Sequence, residues 1–220
     1  MYIIKSYYKN HIKEYKMKKL LINTISKIQL KLIERSLGDA LLMDAKGNFI
    51  KPFNSSSESD KIDLETVALS LSRTKRFFGQ TNFSVAQHSI NMARIFIYKG
   101  KIEEAKAAAI HEASECFLGD LVTPLKKNFP LFSDIEKIIL RKVFISCGVK
   151  YPISNEVHIL DKQIVINEAL AHMPNKEYWL SYGKPVSEDL LNAAGVDLNC
   201  WSDEKSYTEF IKLLKELELL

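Results

Sequence analysis

From Asp63 to the C-terminus, apolar residues recur at the three-to-four-residue spacing of a helix face, and most runs close on a residue that stops helices. That punctuation constrains the fold more than any other feature, because a half-buried strand would need alternation at every second position. Asp63 is placed to cap a helix reaching about Ser72, and a longer helix from about Val85 lines up Ile90, Ala93 and Ile97 before Gly100. The Ala-rich run from Ile102 to Leu118 is expected to be one continuous helix closed by Gly119. Ser133 and Glu136 have the spacing of a capping box and are expected to open a helix that turns Ile135, Ile138, Ile139 and Val143 inward before Gly148. Ser154 caps a helix reaching Met173, ahead of Pro174, and two further helical segments lie near Ser187–Ala194 and Ser202–Leu219. Upstream, "LLMDAKGNFI" reads as two short extended pieces about a Lys46-Gly47 turn, and "NSSSESD" (54–60) as a polar loop. The expectation is an all-α helical bundle with a small β-hairpin near the N-terminus.

Net charge divides the chain. Residues 1–36 hold nine Lys/Arg against two Glu, a local +7 in a chain of net +4, so the remainder is acidic by three. A basic helical leader (1–36) followed by one domain (37–220) is the expected organisation, since 220 residues suffice for one sizeable core. Lys5, Lys9 and Lys13 recur at helical spacing with Tyr7, Tyr8 and Tyr15 between them. A solvated helix face is the commoner cause of that pattern, and a surface for nucleic acid or anionic lipid is the alternative. Met17 opens "MKKLLINTISKIQLKL", in which Asn23, Lys27 and Lys31 break any signal-peptide core. No run approaches the roughly 18 apolar residues of a membrane span. Cys116, Cys147 and Cys200 form no CxxC pair, which points away from a disulfide framework and toward a reducing, cytoplasmic setting.

"IHEASECFLGD" (110–120) places His111, Glu112 and Glu115 in an otherwise apolar run. A lone helical histidine is more often a hydrogen-bonded structural residue than a ligand. Here, however, His88 precedes on one segment and Asp161 interrupts the apolar pattern of another, so three helices packed side by side would bring imidazole and carboxylate groups to one ion. Such a mixed nitrogen and oxygen set suits Mn, Fe, Co, Ni or Zn and, less well, Mg. The zinc-protease pattern His-Glu-x-x-His is excluded, because position 115 is Glu. Instead His111 and Glu115 would share a helix face, with a free carboxylate one turn from a ligand imidazole, a suitable place for a base acting on water.

The ordered series "SVAQHS" (84–89), "AAAIHEASECFLGDLVTPLKK" (107–127), and Asp161 followed by Glu168-Ala169 resembles the HD-domain metal-dependent phosphohydrolases. In particular it is similar to the group holding the YfbR-type 5'-deoxynucleotidases and the small phage enzymes that cleave deoxynucleoside triphosphates. "AKGNFIKPFN" and "IDLETVALSLSRTKRFFGQTNFSVAQHS" extend the likeness upstream, so that it spans roughly residues 40 to 215. The resemblance implies an HD-type bundle in which His88, His111, Glu112 and Asp161 hold one divalent ion. It implies that Glu115 orients or deprotonates the attacking water, that Arg76 clamps phosphate, that Phe77 stacks on a base, and that Asp120 lies near the sugar or leaving group. Lys126 and Lys127 are candidate phosphate contacts. Two departures stand out: the doublet is His111-Glu112 where the family has His-Asp, and Gly79-Gln80-Thr81 stands where Gly-His-Thr is common. The implied activity is hydrolysis of nucleotide phosphate esters, of deoxynucleoside mono- or triphosphates, by a protein that could associate with itself. The rivals are a phosphodiesterase of a cyclic or short oligonucleotide and a nucleotide-binding protein with weakened catalysis.

Overall fold

The computed structural model describes residues 41–51, 62–126 and 128–220, together with Thr24, Ile25, Ile28 and Leu32. The expectations for the basic leader, the polar loop at 54–60 and Lys127 lie outside the described residues, apart from those four positions. The hairpin is present: β1 (Leu42–Met43) pairs antiparallel with β2 (Phe49–Ile50), Leu42 opposite Ile50. Asp44 closes it by accepting from the Lys46 and Asn48 backbone N–H groups at 2.9 and 2.8 Å. Lys46 then reaches Asp63 (2.6 Å) and Glu65 (2.5 Å), tying the turn to the start of the first helix.

Among the described residues all longer elements are helical: α1 (Leu64–Arg73), α2 (Val85–Tyr98), α3 (Ile102–Ile110), α4 (Glu115–Leu118), α5 (Thr123–Lys126), α6 (Pro130–Ser146), α7 (Asn155–His172), α8 (Lys176–Leu180), α9 (Glu188–Ala193) and α10 (Asp203–Glu216). Capping by Asp63, Ser154, Ser187 and Ser202 follows the sequence pattern, each side chain accepting a backbone N–H of the first turn. Gly100 stops α2 in the left-handed region (φ 68°), and Lys101 N–H returns to the Phe96 carbonyl at 2.9 Å, the bond that closes such helix ends.

Helix α2 is the axis of the bundle. It packs against α1, α3, α7, α9 and α10 and is buried on nearly every side. Its closest companion is α3, whose Ala105, Ala107, Ala108 and Ala109 are all buried and let the two backbones approach. Because α2 is central, its polar residues Gln87, His88, Ser89 and Asn91 are buried with it.

Two sequence expectations need correction. The run from Ile102 to Leu118 is not one helix: α3 ends at Ile110, residues 111–114 form turns, and α4 begins at Glu115. The bonds Ala113 N–H to Ile110 O and Glu115 N–H to Glu112 O span three residues instead of four, so the chain is wound more tightly there. Sequence periodicity could not reveal this, because a turn of that kind keeps near-helical dihedrals and the same apolar spacing. Nor do Ser133 and Glu136 open a helix. Helix α6 starts earlier, with Pro130 in its first turn and no side-chain cap at Phe129. Ile139 and Val143 are buried as expected, while Ile135 and Ile138 are only half-buried. Glu136 is used elsewhere.

Candidate metal centre

His88 lies in the first turns of α2, fully buried, and its two ring nitrogens have different partners. Nδ1 is 2.7 Å from Glu168 Oε1 on α7, and Nε2 is 3.3 Å from His111 Nε2 and 3.2 Å from Asp161 Oδ1. His111, at the end of α3, donates from Nδ1 to its own helix at the Ala108 carbonyl, 2.7 Å away. Both imidazoles are thereby oriented through Nδ1, with Nε2 turned into the cluster. An outer partner on one ring nitrogen, fixing the tautomer and aiming the other, is the usual arrangement around metal-ligating histidines.

The two Nε2 atoms converge with Asp161 and with Glu112, whose Oε1 is 3.6 Å from His111 Nε2. One ligand atom from each of His88, His111, Glu112 and Asp161 lies within 4.8 Å of the other three, so this buried cluster could hold a metal ion. The glutamate that stands where the resemblance leads one to expect aspartate therefore still reaches the group. Burial is graded: the His88 side chain is 0% exposed and that of Asp161 31%, so the imidazoles form the floor and the carboxylates the mouth.

Charge at the cluster is unbalanced. Burial and Arg76 disfavour a proton on His88, but Glu168 and Asp161 outweigh them and push its pKa up to about 9. Burial pushes His111 down, so that ring is neutral. Although burial works against it, the bond and charge of His88 hold the Asp161 carboxylate below the usual range. His88 is thus favoured to keep a proton beside Glu168 and Asp161, with the His111 Nε2 3.3 Å from its own. A divalent ion satisfies the same geometry with four ligands instead of one proton. The donor chemistry, N2O2 with two neutral-capable imidazoles and two carboxylates, fits a borderline transition ion.

Arg76 borders the cluster. Its Nε is 2.9 Å from Glu168 Oε2, an ion pair without the alignment of a hydrogen bond, and Nη1 is 3.9 Å from Glu112 Oε1. Burial opposes its charge, but Glu168, Glu112 and Asp161 hold it cationic. The loop carrying it is pinned by the Arg76 N–H to Phe83 carbonyl bond (2.9 Å) and by Thr81, whose hydroxyl donates to the Arg76 carbonyl at 3.4 Å. Phe77 and Phe78 both take left-handed dihedrals (φ 56° and 58°), a strained pair for non-glycine residues. The Phe77 ring lies under the Arg76 guanidinium, Cζ 5.9 Å from its centroid.

Glu115, at the start of α4, is buried, with Oε1 3.3 Å from Lys126 Nζ and Oε2 without a partner. Burial, then the Glu112 and Asp120 carboxylates, push its carboxyl well above the usual range. Asp120 is raised by burial and Glu112 against the pull of Arg76. Lys126, expected as a phosphate contact, is bound to Glu115 and, at 2.7 Å, to Glu136. Glu136, assigned by spacing to a helix cap, is the anchor of that lysine. Glu168 is the residue to which sequence reasoning gave no role, although it lies seven residues beyond Asp161, two helical turns along the same face of α7. The other two described histidines stay outside the cluster: His158 is exposed, and His172 bonds the Leu198 carbonyl at 2.6 Å.

Fold and site together define an all-α bundle with a candidate metal centre between α2, the turn after α3, and α7. No protein-family model matches the chain. Among curated proteins it is 30% identical over 100 residues to the uncharacterised protein YfdR of Escherichia coli (strain K12), a match covering 42% of this chain and 54% of that protein. The matched segment thus spans about half the length of that relative. Among the described residues, no helix is long and apolar enough to cross a membrane.

Proposed function

We propose that the protein is a metal-dependent phosphohydrolase of the HD type, acting on phosphate esters of nucleotides and most suited to deoxynucleoside mono- or triphosphates. The observation that carries this reading is the convergence of His88, His111, Glu112 and Asp161 on one point, with the Arg76 guanidinium on its rim and the buried Glu115 carboxyl nearby. When bound, a divalent ion supplies Lewis acidity toward a phosphoryl oxygen and toward water. The chain's own residues do the rest. Glu168 fixes both His88 and Arg76, so ligand and clamp are set by one carboxylate. Arg76 offers its outer N–H groups to phosphoryl oxygens in a planar fork. Glu115, its carboxyl raised by burial, is suited to take a proton from water, and Lys126 keeps it in place. Asp120, raised in the same way, is suited to exchange a proton on the leaving-group side.

The test is purified protein supplied with manganese, cobalt or zinc and offered mono-, tri- and cyclic nucleotides, with phosphate, pyrophosphate and triphosphate release read separately. Product is expected from at least one deoxynucleotide. Glu115→Gln should lower that rate by about 10²–10⁴-fold with bound metal unchanged, the usual share of general acid–base catalysis. Binding of nucleotide and metal with no product from any of them would replace the hydrolase with a nucleotide-binding protein.

A further inference from the structure

Helix α8 is a five-residue helix that buries none of its residues, yet Tyr178 and Trp179 on it, with Tyr182 just beyond, form one aromatic group. Trp179 and Tyr182 are stacked with centroids 5.9 Å apart, and the hydroxyls of Tyr178 and Tyr182 meet at 2.5 Å. Tyr178, Leu180 and Tyr182 are 48%, 49% and 60% exposed. A contiguous aromatic surface left open to water is costly unless something covers it. Helix α8 packs on α7, the helix that also supplies Asp161 and Glu168.

The group is continuous with the metal centre through one ring. Phe77 meets Trp179 at 5.6 Å with the planes at 83°, and the Arg76 guanidinium lies over the same Phe77 ring. Two rings at a right angle make a corner. A planar ligand ring stacked on one of them meets the other across its edge, which fixes both the depth and the tilt of the ligand. The strained backbone at Phe77 and Phe78 holds one wall of that corner, and the left-handed Asn175 (φ 60°), which caps α8 through Tyr178 N–H, holds the other. Two independent departures from ordinary backbone geometry thus converge on the same corner.

We infer that Trp179, together with Phe77, is the receptor for the nucleobase, and that Tyr182 backs Trp179 from behind. This rests on the phosphohydrolase reading above and extends it: Arg76 grips the phosphate end, and the corner selects ligands that carry a flat heteroaromatic ring over base-free sugar phosphates. A nucleobase is the occupant argued here because the corner adjoins an anion clamp by way of a single residue. An aliphatic partner, or one without phosphate, would gain nothing from that adjacency.

The experiment compares, by calorimetry on the zinc-loaded full chain in the Glu115→Gln background, thymidine 5'-phosphate and deoxyadenosine 5'-phosphate with 2-deoxyribose 5-phosphate. The nucleotides should bind at least about tenfold more tightly, the scale of stacking one base on an aromatic side chain. Trp179→Leu should erase that preference while leaving the affinity for 2-deoxyribose 5-phosphate unchanged, and Trp179→Phe should retain most of it. A readout that needs no Trp179 variant comes from fluorescence. The chain has two tryptophans and Trp201 is 6% exposed, so nucleotides should quench Trp179 emission and the base-free phosphate should not. Equal affinity for nucleotide and sugar phosphate, or an unchanged preference in Trp179→Leu, would overturn the inference and leave the hydrolase reading standing. So would a Trp179→Leu protein that changes only its sedimentation, which would make the aromatic face a contact between copies of the chain. Failure of all three phosphates to bind would overturn both.

Discussion

The two sides of α2 carry buried polar residues in opposite conditions. On one, Gln87 donates to the Asp197 and Asn199 carbonyls at 2.9 and 2.7 Å and accepts from Trp201 N–H, while Asn91 exchanges bonds with the Asp197 backbone. Every polar atom of those two amides that the helix buries is closed by the segment ahead of α10. On the other side, His88 faces a second imidazole nitrogen and a carboxylate, with Arg76 and a half-partnered Glu115 beyond. Within one helix, closed hydrogen bonding marks a joint that holds the fold, and a convergence of ligand atoms without such closure marks a place kept for something else. The residue types are equally polar, so only the completeness of their partners separates the two sides.

The comparison predicts different failures on the two sides. The largest effect is expected at the open one. His88→Ala should reduce affinity for zinc or cobalt by at least about a hundredfold and abolish the rise in melting temperature that metal gives the wild type, an effect worth about 2.7 kcal/mol at a hundredfold excess over Kd. Metal analysis and thermal melts read both, and equal occupancy in the variant would remove His88 from the ligand set. The closed side should respond in stability alone. Gln87→Ala leaves the Asn199 carbonyl and the Trp201 N–H without their Gln87 partner and the Asp197 carbonyl with Asn91 alone, and should cost about 2–3 kcal/mol by urea denaturation, with metal stoichiometry unchanged. Metal loss in that variant would show that the two sides are not separable.

The smallest effect tests whether Glu115 is held at a cost to the fold. Its folded pKa is raised above the ordinary carboxylate value of 4.5, so the unfolded chain releases its proton first as pH rises. Stability is therefore lost from about pH 4.5 upward, and Glu115→Gln, which cannot ionise, should be more stable than wild type at pH 7 and equal to it below pH 4. A metal-free denaturation series across that window decides it. A glutamine variant less stable at pH 7 would mean that the Lys126 ion pair outweighs burial, and that Glu115 serves the structure.

Much of this molecule is legible without coordinates. Helix starts at Asp63, Ser154, Ser187 and Ser202, the stop at Gly100 and the hairpin about Gly47 follow from local chemistry, since a cap or a left-handed turn is settled within four or five residues. The ligand candidates His88, His111, Glu112 and Asp161 could be named because polar groups in apolar helical runs are conspicuous. What sequence could not give was the pairing of those groups. The break after Ile110 is invisible to periodicity, and His111 and Glu112, just past it, converge with Asp161 of α7.

Glu136 shows the limit from the other direction: its spacing from Ser133 satisfied a local rule, but a lysine on a different helix claimed its carboxylate. Glu168 was in plain view and given no role, because its importance lies in touching His88 and Arg76, which are 80 and 92 residues away along the chain. The sequence by itself determined the helices, their ends and the kinds of group available for chemistry, all short-range consequences of backbone hydrogen bonding and apolar period. Tertiary structure alone decided which buried charges face one another and which amides are closed. Those outcomes depend on distances between elements far apart in the chain, and the cost of an unpartnered buried charge is fixed only once the surrounding helices have excluded water.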